Sequence, residues 1–491
     1  MRSSSLTAMV YFVAALGLFA CTRKNPLDCG DGSCTDEAYP FCDKDGQVKG
    51  EADTCIAVEC EPDAVVACRD GNAITCNASG NNFDLVACTG LCDAPSGGCV
   101  ECMSNSECPA AQFPTCDSGT HSCRACLVDA DCASEVCDAD AGACVPSSSV
   151  IYAAPSGTED VGCGTLAQPC TLARSFVRVG TTSGVIKMKA GTYQWSSGIT
   201  IVGGGQDIAL HGDGATVVVS GTGFLQVKDG GRVSVIGLTI VRQGAELVAI
   251  STDFSGGSTP TLNLTRTTLE GTGLTVSAGK VTIRQSMITM NEPGGVRFGR
   301  VAINILFSNG LSKVVVDRSK FMDTTGSSFA AIGSYDTNLE VTNSIFSGFA
   351  LDVAHSSDAN GGGRENTDIS FSTFQNTPAN CGSGSTATRT YSNNIWYVTT
   401  GGDAGTGDAC SHHFDLMYPQ TGIVPRGDHI LVADPRFEDA SNGDLRLRID
   451  SPAVDAADPA SPSVAKDFAG TSRPQGLRRD IGAFERKAGN P

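Results

Sequence analysis

The sequence predicts an all-β protein, a parallel β-helix preceded by a small disulfide-rich region, and three observations carry that prediction. One eight-residue pattern returns seven times between Val233 and Trp396, at intervals of 19 to 33 residues. Within each copy apolar and polar residues alternate, which is the periodicity of a strand and not of a helix. Of the 23 cysteines, 18 fall between Cys29 and Cys144, ahead of the repeats.

The repeats read VSVIGLTI (233–240), LNLTRTTL (262–269), VTIRQSMI (281–288), VVVDRSKF (314–321), LEVTNSIF (339–346), TDISFSTF (367–374) and RTYSNNIW (389–396). Such returns describe a solenoid, in which each turn buries its apolar face only against its neighbours. Positions three and eight form the inward columns, the eighth running Ile240, Leu269, Ile288, Phe321, Phe346, Phe374, Trp396. Position five holds Gly237, Arg266, Gln285, Arg318, Asn343 and Asn393, and position six is Ser in four copies. Asn and Gly tolerate a left-handed backbone, so this polar pair is read as a sharp turn stacked coil over coil. Position seven, as in Lys320 and Thr373, is expected to face solvent.

Ahead of each repeat lies a second short alternation, from Leu225/Val227 to Leu351/Val353, so one coil holds strand, loop, strand, tight turn and short strand. Over 151–400 this arrangement resembles the right-handed parallel β-helix of the pectate-lyase-like superfamily. The segment from Ile151 resembles the entry of many secreted β-helices, which implies a capping helix at about 171–180.

At the N-terminus, Arg2 and an apolar run from Leu6 to Ala20 have the layout of a signal peptide at 1–20, too short to span a bilayer comfortably. Leu18-Phe19-Ala20-Cys21 resembles a bacterial lipobox. That implies a lipidated Cys21, export, and a place in the bacterial outer membrane or on the cell surface, with the membrane touched through the anchor. Setting Cys21 aside leaves an even 22 cysteines, with Cys163/Cys170 and Cys381/Cys410 as local pairs outside the 18.

Residues 21–146 lack apolar periodicity and must be stapled. An internal repeat runs Cys102-x5-Cys108-x7-Cys116-x6-Cys123, then Cys126-x5-Cys132-x4-Cys137-x6-Cys144, and resembles short Cys-rich repeats of bacterial surface proteins. Cys99, Cys102, Cys123 and Cys126 have zinc-ribbon spacing, but the cysteines around them and the export signal favour disulfides. Asp43-Lys44-Asp45-Gly46 opens like a calcium loop yet lacks its later ligands. No metal is expected here.

A linker at 147–150 leads into the β-helix. Residues 401–429, with Cys410, His412 and His413, read as a loop-rich insertion and the two histidines as solvated. Residues 430–491 resemble the closing segment of bacterial secreted β-helix proteins of the choice-of-anchor Q type. The resemblance implies that Asp434, Asp444, Ser451, Asp455, Asp467, Arg473, Asp480 and Glu485 cap and terminate the helix.

A net charge of −19 and the lack of any basic cluster argue against a nucleic-acid partner. Lyases of the resembled superfamily bind substrate on the outer face of the sheet that precedes the repeats. The outward positions there run from Gln226 and Lys228 to Asp352 and Ala354 and carry one base, Lys228, and one acid, Asp352. They lie five coils apart at about 4.8 Å per coil and cannot cooperate. Asn366-Thr367-Asp368 matches the first polygalacturonase motif by letters, without the motifs that should follow. No nucleophile elbow, phosphate loop or dinucleotide fingerprint is present, so no cofactor is expected.

Two functional expectations follow. The first is a monomeric, lipid-anchored, non-catalytic cell-surface protein that binds glycan or matrix or acts as a rigid module. The alternative is a polysaccharide lyase or glycoside hydrolase, with Asp352, His355, Arg364 and Glu365 around the 356–366 loop as the acid–base group and calcium as the metal in that case alone.

Overall fold

The computed structural model describes residues 27–487 apart from 30–32, 49–50, 94, 96–97, 110–111, 181–183, 197, 244–247, 254–257, 292–300, 306–311, 327, 329, 335–336, 350–351, 357–365, 382–387, 401–403, 408–409, 421 and 423. The lipidation candidate Cys21 therefore lies outside the described residues. The chain divides into two compact units that meet in sequence at Cys144 and Val145. No helix among the described residues is long and apolar enough to cross a membrane.

The first unit is a series of short antiparallel hairpins held by disulfides. Nine bonds join the 18 cysteines from Cys29 to Cys144. The two cysteine repeats share one connectivity, first to third and second to fourth: Cys102–Cys116 with Cys108–Cys123, and Cys126–Cys137 with Cys132–Cys144. Their hydrogen bonds correspond as well. Glu107 accepts the N–H groups of Met103 and Ser104, and Asp131 those of Leu127 and Val128. Asn105 Oδ1 accepts from Cys116 N and Asp129 Oδ1 from Cys137 N, each at 2.9 Å. Each carboxylate satisfies orphan donors at the start of a 3-10 turn, as an N-terminal cap does.

The second unit is a nearly all-β parallel solenoid. Its strands form three sheets of twelve, eleven and seven strands, so about seven turns carry all three. The first sheet runs from Val150–Thr158 to Gly427–Asp428 and the second from Gly191–Trp195 to Leu431–Val432. The third, Thr200–Val202 to Asp352–Ser356, precedes the repeats. In every repeat, positions one to four belong to the first sheet, and positions seven and eight to the second.

The turn between those sheets is built by two stacked ladders. Position five is left-handed in every coil, with φ of 68° at Gly237, 47–51° at Arg266, Gln285, Arg318, Asn343 and Phe371, and 59° at Asn393. A non-glycine residue there costs about 1–2 kcal/mol, offset because its N–H donates to the position-four carbonyl of the next coil, as Arg266 N does to Arg284 O at 3.0 Å. At position six each buried N–H donates to the position-six side chain one coil on. The chain of acceptors is Ser286, Ser319, Ser344, Ser372, Asn394 and Asp415, at 2.7–3.2 Å. Small hydroxyls recur at position six because a buried backbone donor must be satisfied inside the core.

The inward columns are fully buried, and Phe321, Phe346, Phe374 and Trp396 stack face to face with centroids 4.9, 5.1 and 3.9 Å apart. The helix Leu172–Val179 starts with Thr171 Oγ1 accepting from Arg174 N and buries Leu172, Ser175 and Val179. Phe176 from this helix meets Trp195 and Phe224 edge-on, which covers the first coils.

Three expectations need correction. Residues 410–417, CSHHFDLM, form an eighth copy of the repeat inside the segment read as an insertion: Cys410–His413 extends the first sheet and Leu416–Tyr418 the second. One more strand of each sheet follows at Gly427–Asp428 and Leu431–Val432. The closing segment, for its part, lies against the outer side of the second sheet. It buries the position-seven residues Ile345, Ile395 and Leu416, with Phe371, beneath Leu445, Ala453, Ile481 and Ala483. Thr373, expected in solvent, is 1% exposed and its Oγ1 accepts from Ala483 N.

Candidate functional site

The outer face of the third sheet is mostly small and polar. Its central outward column runs in register through Gln226, Ser251, Thr275, Asn304 and Gly333, and the backbone of His355 continues that register. Ala354, expected outward, pairs instead with the buried Ile332, and the expected outward residues Ala249 and Ala331 are buried. The backbone register of the last coil is thus one residue away from the expected one. The acid facing Lys228 is Asp253 on the next coil, with Lys228 Nζ 3.7 Å from Asp253 Oδ2. Of the four acid–base candidates, Asp352 and His355 share the strand Asp352–Ser356. Arg364 and Glu365 lie outside the described residues.

The first sheet offers the longer outer face. Its position-two column aligns Ser234, Asn263, Thr282, Val315, Glu340, Asp368, Thr390 and Ser411 on successive coils. Asn263 Nδ2 donates to Ser234 Oγ at 3.3 Å, and Lys313 Nζ to Glu340 Oε1 at 2.7 Å. Burial, and then the charge of Glu340, push the Asp368 carboxyl above its ordinary range. The sequence held this pair openly, as adjacent acids at position two of LEVTNSIF and TDISFSTF.

At the end of that face lies a cluster the sequence reading missed. Ser411 Oγ is 3.0 Å from His413 Nε2, and His413 Nδ1 contacts Asp428 Oδ1. The second carboxylate oxygen is 3.5 Å from His429 Nδ1, and the His429 ring stacks on Phe414 at 4.3 Å. Desolvation works to raise the Asp428 carboxyl, but the hydrogen bonds and charges of His413 and His429 together hold it below its ordinary value. The signal was the repeat itself: once CSHHFDLM is aligned on the pattern, Ser411 and His413 fall at outward positions two and four.

His412, read as solvated, is buried at position three. Its Nδ1 is 2.7 Å from Asp415 Oδ2, which also accepts from Trp396 Nε1 at 3.1 Å. Asp415 is thereby the last rung of the position-six ladder and an interior anchor. Asp480 and Glu485 are likewise structural. Asp480 accepts from Asp455 N and Arg486 N, Glu485 from Gln475 N and Asp480 N, and Arg473 Nη1 meets Glu485 Oε2 at 3.2 Å with both side chains inaccessible.

Cys163 and Cys170 are bonded. Cys410 is disulfide-bonded, while the side chain of Cys381 lies outside the described residues; its backbone pairs with Gly407. The cysteines at zinc-ribbon spacing all bond to other cysteines. The two acids of the calcium-like turn are occupied as well, Asp43 by Val48 N and by Arg69 at 3.8 Å, and Asp45 by Arg69 Nε at 2.8 Å. The chain matches no family model and no curated protein.

Proposed function

We propose that the chain is an exported, lipid-anchored bacterial surface protein whose β-helix flank binds polysaccharide. The observation that carries glycan binding is the outer column of the first sheet, where Ser234, Asn263 and Thr282 place hydroxyl and amide side chains on three successive coils at about 4.8 Å and Thr390 and Ser411 do so again. A run of donors and acceptors at that pitch complements the hydroxyls of an extended glycan chain. Export is supported by the disulfides, which persist in oxidising compartments. Anchoring at the outer membrane rests on the lipobox-like Leu18–Cys21 and is lost if a Cys21→Ala protein stays in the membrane fraction. Binding is tested by affinity electrophoresis of the full chain in gels carrying neutral or uronate polysaccharides. Retardation should fall several-fold in an Asn263→Ala/Thr282→Ala variant with unchanged melting. Equal mobility of wild type and variant in every gel would remove the assignment.

A second reading, polysaccharide cleavage, has one observation in its favour, Glu340 and Asp368 on adjacent coils, with burial and the Glu340 charge raising the Asp368 carboxyl. Release of unsaturated or reducing ends from a uronate polysaccharide, lost in Asp368→Asn, would establish it.

A further inference from the structure

We propose that Ser411, His413 and Asp428 form a site for hydrolysis of acyl esters, with Ser411 as nucleophile, His413 as general base and then acid, and Asp428 as the positioning residue. This inference does not depend on glycan binding. Ser411 and His413 are two residues apart on the strand Cys410–His413 and so emerge on one face of the sheet. Asp428 arrives from the next coil as the register partner of His413.

The resulting contacts, Ser411 Oγ to His413 Nε2 at 3.0 Å and His413 Nδ1 to Asp428 Oδ1, commit both ring nitrogens. With Nδ1–H given to the carboxylate, the Nε2 lone pair faces the hydroxyl, the tautomer a serine nucleophile requires. Solenoid packing does not impose this arrangement, because the His413 and Asp428 side chains are 42% and 56% exposed. The same exposure admits an ester carried on a large molecule.

A developing oxyanion needs a positive partner. Arg426 enters the strand that carries Asp428, and its carbonyl accepts from His412 N at 3.1 Å, so a cationic residue belongs to the same coil as Asp428. Thr390 occupies the preceding coil.

In the reaction, Ser411 Oγ bonds to the acyl carbon while its proton passes to His413 Nε2. The carbon–oxygen bond to the leaving alcohol then breaks, and the alcohol takes that proton. Water attacks the acyl-serine, giving its proton to Nε2, and the carboxylic acid departs as the proton returns to Ser411. No oxidant, metal or co-substrate other than water is consumed.

The test uses the full chain, a fluorophosphonate probe and p-nitrophenyl acetate. Peptide mapping should place the probe on Ser411, and Ser411→Ala should abolish labelling and lower kcat/KM by at least ~100-fold. Asp428→Asn should lower kcat and also move the pH–rate profile, which a purely structural role would leave in place. All three side chains are at the surface, so melting should be unchanged in the variants. An unlabelled wild-type protein, or hydrolysis that survives Ser411→Ala as simple imidazole catalysis would, overturns the proposal. An Asp428→Asn profile that does not move removes the positioning role and with it the triad.

Discussion

The two units solve one problem, a chain with small side chains and few aromatics, by opposite means. In the Cys-rich unit the two four-cysteine repeats, 102–123 and 126–144, are each closed by their own bonds, while the hairpins before them share a small core of Phe41, Ile56, Ala67 and Ile74. In each of those repeats two crossed disulfides and one capping carboxylate hold about twenty residues, and the cluster at Cys126, Cys132 and Cys137 consists of half-cystines alone. In the solenoid no coil is complete. Every inward residue, every left-handed turn amide and every position-six amide needs the coil beside it. Covalent closure stabilises a module by restricting its unfolded chain, whereas stacking stabilises through neighbour contacts that add along the axis.

The largest expected effect separates these two means directly. Reduction of the folded protein should unfold 29–144 completely, since losing one native disulfide from a small domain typically costs about 2–5 kcal/mol and nine are lost there. Residues 145–487 should stay folded, with Cys163–Cys170 closing only a short loop. Limited proteolysis with mass mapping, with and without reductant, reads both units at once; concerted loss of protection across the chain would refute the contrast. Within the solenoid, Phe346→Ala removes the middle of the aromatic stack and should cost about 3–5 kcal/mol. The partly exposed Lys320→Ala should stay within about 0.5 kcal/mol. Equal melting of these variants would show the inward column to be misassigned.

A second contrast lies inside the solenoid, between coils that bare position seven and those covered by the closing segment. The cover holds a buried charge cluster of Asp467, Arg473, Asp480 and Glu485, and Arg473 and Arg479 lie 5.0 and 5.1 Å over the Phe371 ring. Burial lifts the Asp480 carboxyl from 3.8 to about 6, against the amides of Arg486 and Asp455, with Glu485 adding to the rise and Arg473 opposing it. Burial also raises Glu485. A carboxyl with a raised folded-state pKa binds its proton more tightly folded than unfolded. Its stabilising contribution is therefore complete below about pH 4, fades as pH climbs towards 6 and is gone above. The difference is about 2–3 kcal/mol. Protection factors for amides over 453–485, taken against the intrinsic exchange rate at each pH, should thus be higher at pH 4.5 than at pH 7 in wild type, and the difference should shrink in Asp480→Asn. An undiminished difference in that variant would assign it to other groups.

Burial made much of the fold legible. A residue facing the interior recurs at a fixed place in each coil, so the columns that reach Tyr391 and Trp396 could be read from letters alone. The cover over the second sheet was harder to see. Its sign was present, because position seven turns from Lys320 to Ile345, Ile395 and Leu416, but an apolar letter there says only that something covers it. The Ser411–His413–Asp428 cluster was less visible still. Its third member comes from the next coil, and that neighbourhood exists only after the ladder register is known. Position five was legible as a turn at Arg266 and Gln285, but not at Phe371, an apolar letter in the same place. Their conformation is enforced by stacked hydrogen bonds and not by the residues' own preference.

The smallest effect expected concerns that enforcement. Ser319 Oγ accepts the buried Ser286 N–H at 3.2 Å and donates to Asp317 O at 2.9 Å. Ser319→Ala changes the packed volume little but leaves the Ser286 amide without a partner in a fully buried turn, a loss of about 1–3 kcal/mol. Threonine already occupies this position as Thr267, itself buried, so the turn has room for the extra methyl. Ser319→Thr keeps the hydroxyl and should stay within about 0.5 kcal/mol of wild type. The two variants differ in whether an acceptor is present, and chemical denaturation of the pair therefore isolates the ladder from packing. If alanine proved as stable as threonine, the stacked hydroxyls would accompany the turn without holding it, and the solenoid's periodicity would rest on its apolar columns alone.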